Sequence, residues 1–178
     1  MSASDVTPAE HSLVVTAQRV GALLWFERRL FEVLGAASAR ADDLEAMLVL
    51  AEHARHHAWR AEQLFARLPE LRGLPAEDLV RPPAPQAVTA LDALAAETST
   101  ADLVATTYLV LVPLLREEYL AVEETLSTVA DRSLARTVWM AVADLTRDEA
   151  AGVSIATRLG VDPGTVDRMG RLLVGDLP

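Results

Sequence analysis

The chain has 178 residues, a formal net charge of −10 and no cysteine. That length suits one domain with a single sizeable core, and the missing cysteines exclude disulfides, cysteine-bound zinc and thiol chemistry. An acidic chain with scattered basic residues repels phosphate, so no nucleic-acid partner is expected.

Apolar residues make up 51% of the sequence and aromatics only 4%, the composition of helices packed closely through small side chains. The opening stretch MSASDVTPAEHS has neither a basic nor an apolar segment of the signal-peptide kind. No run of 18 apolar residues occurs, so no membrane span is expected and a cytoplasmic location is.

The first helix is expected over 8–35. Thr7 can cap it, Pro8 suits its first turn and Glu10 completes a capping box. Leu13, Ala17, Val20, Leu24, Glu27, Phe31 and Leu34 recur at helical spacing, and Gly35 is a natural stop. The second helix, over 42–68, starts near Asp42 and ends before Pro69. Its apolar residues place the inward face near Ala54, Ala58 and Phe65. Residues 69–86 then carry five prolines and a glycine, which forbids a regular helix. With a short helix at about 88–97, they make a crossover over 69–99, far longer than a helix hairpin needs.

The third helix is expected over 100–129, capped at Ser99 or Thr100 and kinked at Pro113. Its stripe includes Tyr108, Leu111, Leu115 and Tyr119. A turn at Ala130-Asp131 leads to the fourth helix, over 132–160, whose inner face holds Leu134, Val138, Ala141, Leu145, Gly152 and Ala156. GVDPGT breaks the chain before a terminal helix over 163–174. This tail has the spacing of a helix-turn-helix, but Asp167 and the few arginines make it a poor reader of a DNA groove. The whole is an all-α chain of two helix hairpins joined by a long crossover.

That order resembles the ferritin-like superfamily of di-iron carboxylate proteins. The resemblance implies a four-helix bundle with a long crossover between its second and third helices. It also implies inward glutamates on the first and third helices and a Glu-x-x-His on the second and fourth. Glu27, in LLWFERRLF, matches the first ligand. Glu52 matches the second helix's glutamate, with Arg55 where the histidine would stand. The third helix offers Glu117, Glu118 and Glu123. On the fourth, Glu149 is followed three residues later by Gly152. The implied metal is iron or manganese, and the implied chemistry is that of an oxygenase or oxidase.

The histidine-rich stretch AEHARHHAWRAEQ at 51–63 leaves two readings open. In one, Glu27, Glu52, His56 and Glu149 hold a metal, with His57, Glu62 and Glu118 as alternatives. In the other, His53 and His56 are solvated, His57 lies at a bundle edge, and Glu27, Arg55, Glu62 and Glu149 form a polar core. An arginine there would replace the positive charge of a lost metal. A carboxylate on an apolar stripe needs such a partner. A non-catalytic or binding bundle is therefore expected first, and a metal-dependent oxygenase or oxidase second. Trp25, Trp59 and Trp139, off the centres of their apolar faces, suggest edges through which a homodimer forms. No substrate can be read from the sequence.

Overall fold

The computed structural model describes residues 13–70 and 72–160, together with 164, 167 and 171. The expected first-turn cap at Thr7 and nearly all of the terminal helix over 163–174 lie outside these residues. The described chain is an all-α bundle without a β-strand. No helix among the described residues is long and apolar enough to cross a membrane.

Helix α1 spans Leu13–Ser38 and α2 spans Leu44–Phe65. α1 runs through Gly35 instead of stopping there. Positive φ, the usual reason for a terminating glycine, occurs only at Gly73 and Gly160 among the described residues. The cap of α2 is Asp43, one residue beyond the expected Asp42; its side chain accepts from the Ala46 amide at 2.8 Å. Arg158 holds the same carboxylate at 2.7 Å, tying the start of α2 to the far end of the last helix.

The connection to the second hairpin contains α3, Ala76–Leu79, and α4, Pro85–Ala96. α4 opens with Pro85 in its first turn, where the missing N–H costs nothing. α3 sits directly on α1: a Cβ on Gly21 would stand 2.1 Å from the Leu79 carbonyl oxygen.

The third long helix is composite. α5 covers Thr100–Thr106, a π-helical turn covers Thr107–Leu111, and α6 covers Val112–Glu123. Ser99 caps it by accepting from the Asp102 amide at 3.2 Å. The turn widens just before Pro113, whose ring would clash with a carbonyl four residues earlier in a regular helix. The composite ends at Glu123, short of the expected 129.

Helix α7, Arg132–Leu159, closes the bundle and terminates at Gly160, which adopts the left-handed conformation at φ 72°. α1 packs along α2, α6 and the π turn along α7, α2 against α7 and α1 against α6. Leu24, Leu34, Leu50, Leu64, Val138 and Leu145 fill the interior between them.

Gly152 lies where α7 meets the π turn. A Cβ there would fall 2.0 Å from Cγ of Tyr108. The glycine therefore seats the Tyr108 ring, which is fully buried. Gly152→Ala should destabilise the fold by about 1–3 kcal/mol or more through overpacking, measured as the shift in the urea unfolding midpoint. An unchanged midpoint would show that the ring is not held there.

Candidate functional site

Three polar residues of α2 face the bundle interior. Leu50, His53, His57, Arg60 and Leu64 alternate in steps of three and four and are all buried. This face is rotated from the one that apolar residues alone suggest, because three of its five positions are polar. Phe65, expected inward, is 39% exposed. Arg55, Glu52 and Glu62 are all exposed. None of the three belongs to the core site in which each was expected.

Glu27 of α1 is fully buried. Its charged partner is Arg60, where Arg55 or Glu149 was expected. The Arg60 Nε donates to both carboxylate oxygens, at 3.0 and 3.1 Å. Tyr119 of α6 donates its hydroxyl to Oε1 at 2.8 Å, and His57 Nδ1 lies 2.6 Å from Oε2. Arg60 also reaches across to α7, where its Nη1 donates to Asp148 Oδ2 at 3.1 Å. One guanidinium thus bridges two acids from opposite helices.

Asp148, not its neighbour Glu149, is the inward carboxylate of α7. It lies three residues after buried Leu145 and four before buried Gly152. Glu149 points to the flank and pairs with Arg116 at 3.5 Å. Glu117, Glu118 and Glu123 of α6 are exposed. The inward polar group of α6 is Tyr119, which the apolar stripe counts only for its ring.

The His57 tautomer follows from its neighbours. Nδ1 lies near both an acceptor, Glu27 Oε2, and a donor, Arg60 Nη2 at 2.9 Å. Burial pushes the Glu27 carboxyl up, but Arg60 and His57 pull it down further, leaving it below the usual carboxylate range. Glu27 is therefore an acceptor, and Nδ1 carries the proton it receives. Burial and the Arg60 cation also push the His57 imidazole down. A neutral ring with its proton on Nδ1 has a lone pair on Nε2, and this buried atom has no hydrogen-bond partner among the described residues. Burial opposes the Arg60 charge as well, yet Glu27 and Asp148 more than restore it. Tyr119 is pushed up by burial, then by Glu27, and remains a hydroxyl donor.

A second cluster adjoins the first. His56 Nδ1 lies 2.9 Å from Asp148 Oδ1, and His53 Nε2 lies 3.5 Å from the same oxygen. His53 Nδ1 meets the Tyr108 hydroxyl at 2.7 Å. His53 is buried, His56 half-buried and His57 fully buried, which corrects the reading that left the first two solvated and the third at a bundle edge. The rotation of α2 that leaves Ala58 at the flank brings them in.

Between α1, α4 and α6 lies a cleft of about 660 Å³. Leu23, Phe26, Leu30, Ala87, Leu115 and Val122 give it an apolar wall, with Arg19 and Glu118 among its lining residues. The volume is in the range of small-molecule sites. Glu118, expected as an alternative metal ligand, belongs to this cleft and is remote in role from the buried acids.

No family model, curated protein or solved structure matches the chain. The class defined by fold and site is thus an all-α bundle with a buried polar core.

Removing one member of that core should be costly. Glu27→Gln leaves Arg60 buried with one acid fewer, and a loss of roughly 3–5 kcal/mol is expected, read from urea unfolding at neutral pH. The pH dependence has a definite sign. The Glu27 pKa is depressed below its usual 4.5, so its contribution is complete above that pH and is lost as the pH falls through the lower folded value. The stability gap between wild type and Glu27→Gln should therefore shrink below about pH 4.5. A gap that stayed constant would remove Glu27 as an ionised partner.

Proposed function

We propose that the chain is a divergent ferritin-like bundle whose centre is a charge-compensated polar core, and that its role is binding and not oxygen activation. The observation that carries this reading is Arg60, 1% exposed, lying between Glu27 and Asp148. The ferritin-like part is supported by the packing of two helix hairpins across a long crossover. It is supported also by inward polar groups at mid-helix on α1, α2, α6 and α7.

A dinuclear iron or manganese centre needs about six converging ligands. The residues here do not fit one. Two acids face the centre, Tyr119 stands on α6 in place of a carboxylate, and Arg60 spans the space between Glu27 and Asp148. A guanidinium is permanently charged and would repel both metals.

Binding then belongs to the cleft between α1, α4 and α6. Its apolar wall, with one cationic and one anionic residue, suits a small, mainly apolar molecule with a polar end. A homodimer is part of the same proposal. Trp139 is 65% exposed on α7, the kind of aromatic surface that a partner covers.

Anaerobic loading with ferrous iron followed by oxygen tests the core. No oxo-bridged diferric absorption should develop, and two iron or manganese ions per chain would overturn the reading. An apolar fluorescent probe such as anilinonaphthalene sulfonate should bind to wild type and bind more weakly to Ala22→Trp, which fills the cleft. Sedimentation equilibrium tests the dimer, with Trp139→Glu expected to shift it toward monomer.

A further inference from the structure

We propose that His53, His56 and Asp148 form a site for a single divalent transition-metal ion, with water completing the coordination. The site shares Asp148 with the Glu27–Arg60 core, through the other carboxylate oxygen, and stands whether or not the bundle is ferritin-like.

The donors come from two elements that pack against each other. His53 and His56 are three apart on α2, so their rings lie on adjoining positions of one helix face. The rings stack with centroids 5.6 Å apart. Asp148 arrives from α7. One donor atom from each residue lies within 4.8 Å of the others. Asp148 Oδ1 is 2.9 Å from His56 Nδ1 and 3.5 Å from His53 Nε2. Ligands about 2.0–2.1 Å from a tetrahedral zinc stand roughly 3.3 Å from one another. The 2.9 and 3.5 Å separations from Asp148 lie either side of that value. Two imidazoles, one carboxylate and water are a donor set that zinc, cobalt and ferrous iron all accept.

Three further features point the same way. First, His53 has an outer partner: Nδ1 meets the buried Tyr108 hydroxyl at 2.7 Å. In a metal-bound state Nδ1–H would donate to Tyr108 and leave the Nε2 lone pair for the ion beside Asp148, the arrangement that metal-binding histidines use. Secondly, the cluster lacks a charge. Glu27, Asp148 and Arg60 sum formally to −1, and Asp148 Oδ2 is taken by Arg60 while Oδ1 faces only the two imidazoles. A buried excess negative charge calls for a cation at that oxygen. Thirdly, the His56 side chain is 41% exposed, which leaves an entry path and room for water.

The test uses full-length protein freed of any histidine tag and stripped with chelator. Zinc titration by calorimetry should show one equivalent per chain, and cobalt should give the d–d absorption of a tetrahedral site. His56→Ala removes a half-exposed ligand and leaves the buried ion pairs whole. It should keep the wild-type helical content and lose the cobalt spectrum. Tyr108→Phe removes no ligand and should weaken zinc affinity by roughly 10–100-fold, as loss of an outer partner does. Glu52→Gln, an exposed change on the same helix, should leave binding unaltered. Absence of zinc or cobalt binding in wild type would overturn the proposal. Wild-type affinity in His56→Ala would equally overturn it.

Discussion

The bundle depends on one buried cation. Arg60 extends from α2 into the interior and is held by Glu27 from α1 and Asp148 from α7. Transferring a guanidinium from water costs several kcal/mol unless acids meet it with good geometry. Both acids must therefore arrive at fixed heights along their helices. A slip of one residue on α7 would replace Asp148 by Glu149 or Arg147, and the second of these would bring like charges together. Apolar packing alone tolerates such slips far better, since Leu, Val and Ala are abundant on every helix. The polar core consequently contributes register, while the stability comes mainly from the leucines around it.

The helices are legible in the sequence because periodicity and punctuation agree. Pro69 and the prolines that follow end the first hairpin, Ser99 caps the third helix, and Gly160 ends the fourth. The composition of the core is less legible. Reading faces by apolar count assigns α2 to its alanine stripe, which puts Arg55 and Glu62 beside the core and His53 outside. The buried face keeps Ala54 and Ala61 of that stripe and adds His53, His57 and Arg60 among Leu50 and Leu64. The clue lies in the spacing of the leucines. Leu50 and Leu64 stand two heptads apart, and the position midway between them is His57. Polar residues at heptad positions escape any method that equates inward with apolar.

The same bias operates on the other helices. The family pattern supplies glutamates and so favours Glu149 over Asp148, although Leu145 and Gly152 bracket Asp148 at the proper spacing. Tyr108 and Tyr119 count by their rings in an apolar stripe, yet their hydroxyls join His53 and Glu27. Gly152, a missing histidine by the family pattern, has its own reason in the Tyr108 ring that occupies the space beside it. Each of these residues has a role that exists only when two helices are brought together, so no single-helix pattern contains it.

The cleft and the polar core share two helices and use neighbouring positions on them. On α1, Phe26 lines the cleft and Glu27, the next residue, turns into the core. On α6, Glu118 lines the cleft while Tyr119 bonds Glu27 at 2.8 Å. Adjacent residues on a helix are about 100° apart, so a rigid helix can serve both sites with neighbouring side chains. The Glu27–Tyr119 bond joins α1 to α6, the two helices that also wall the cleft. Loss of the core bond would thus be felt in the cleft through the spacing of the helix axes, without any residue common to both sites.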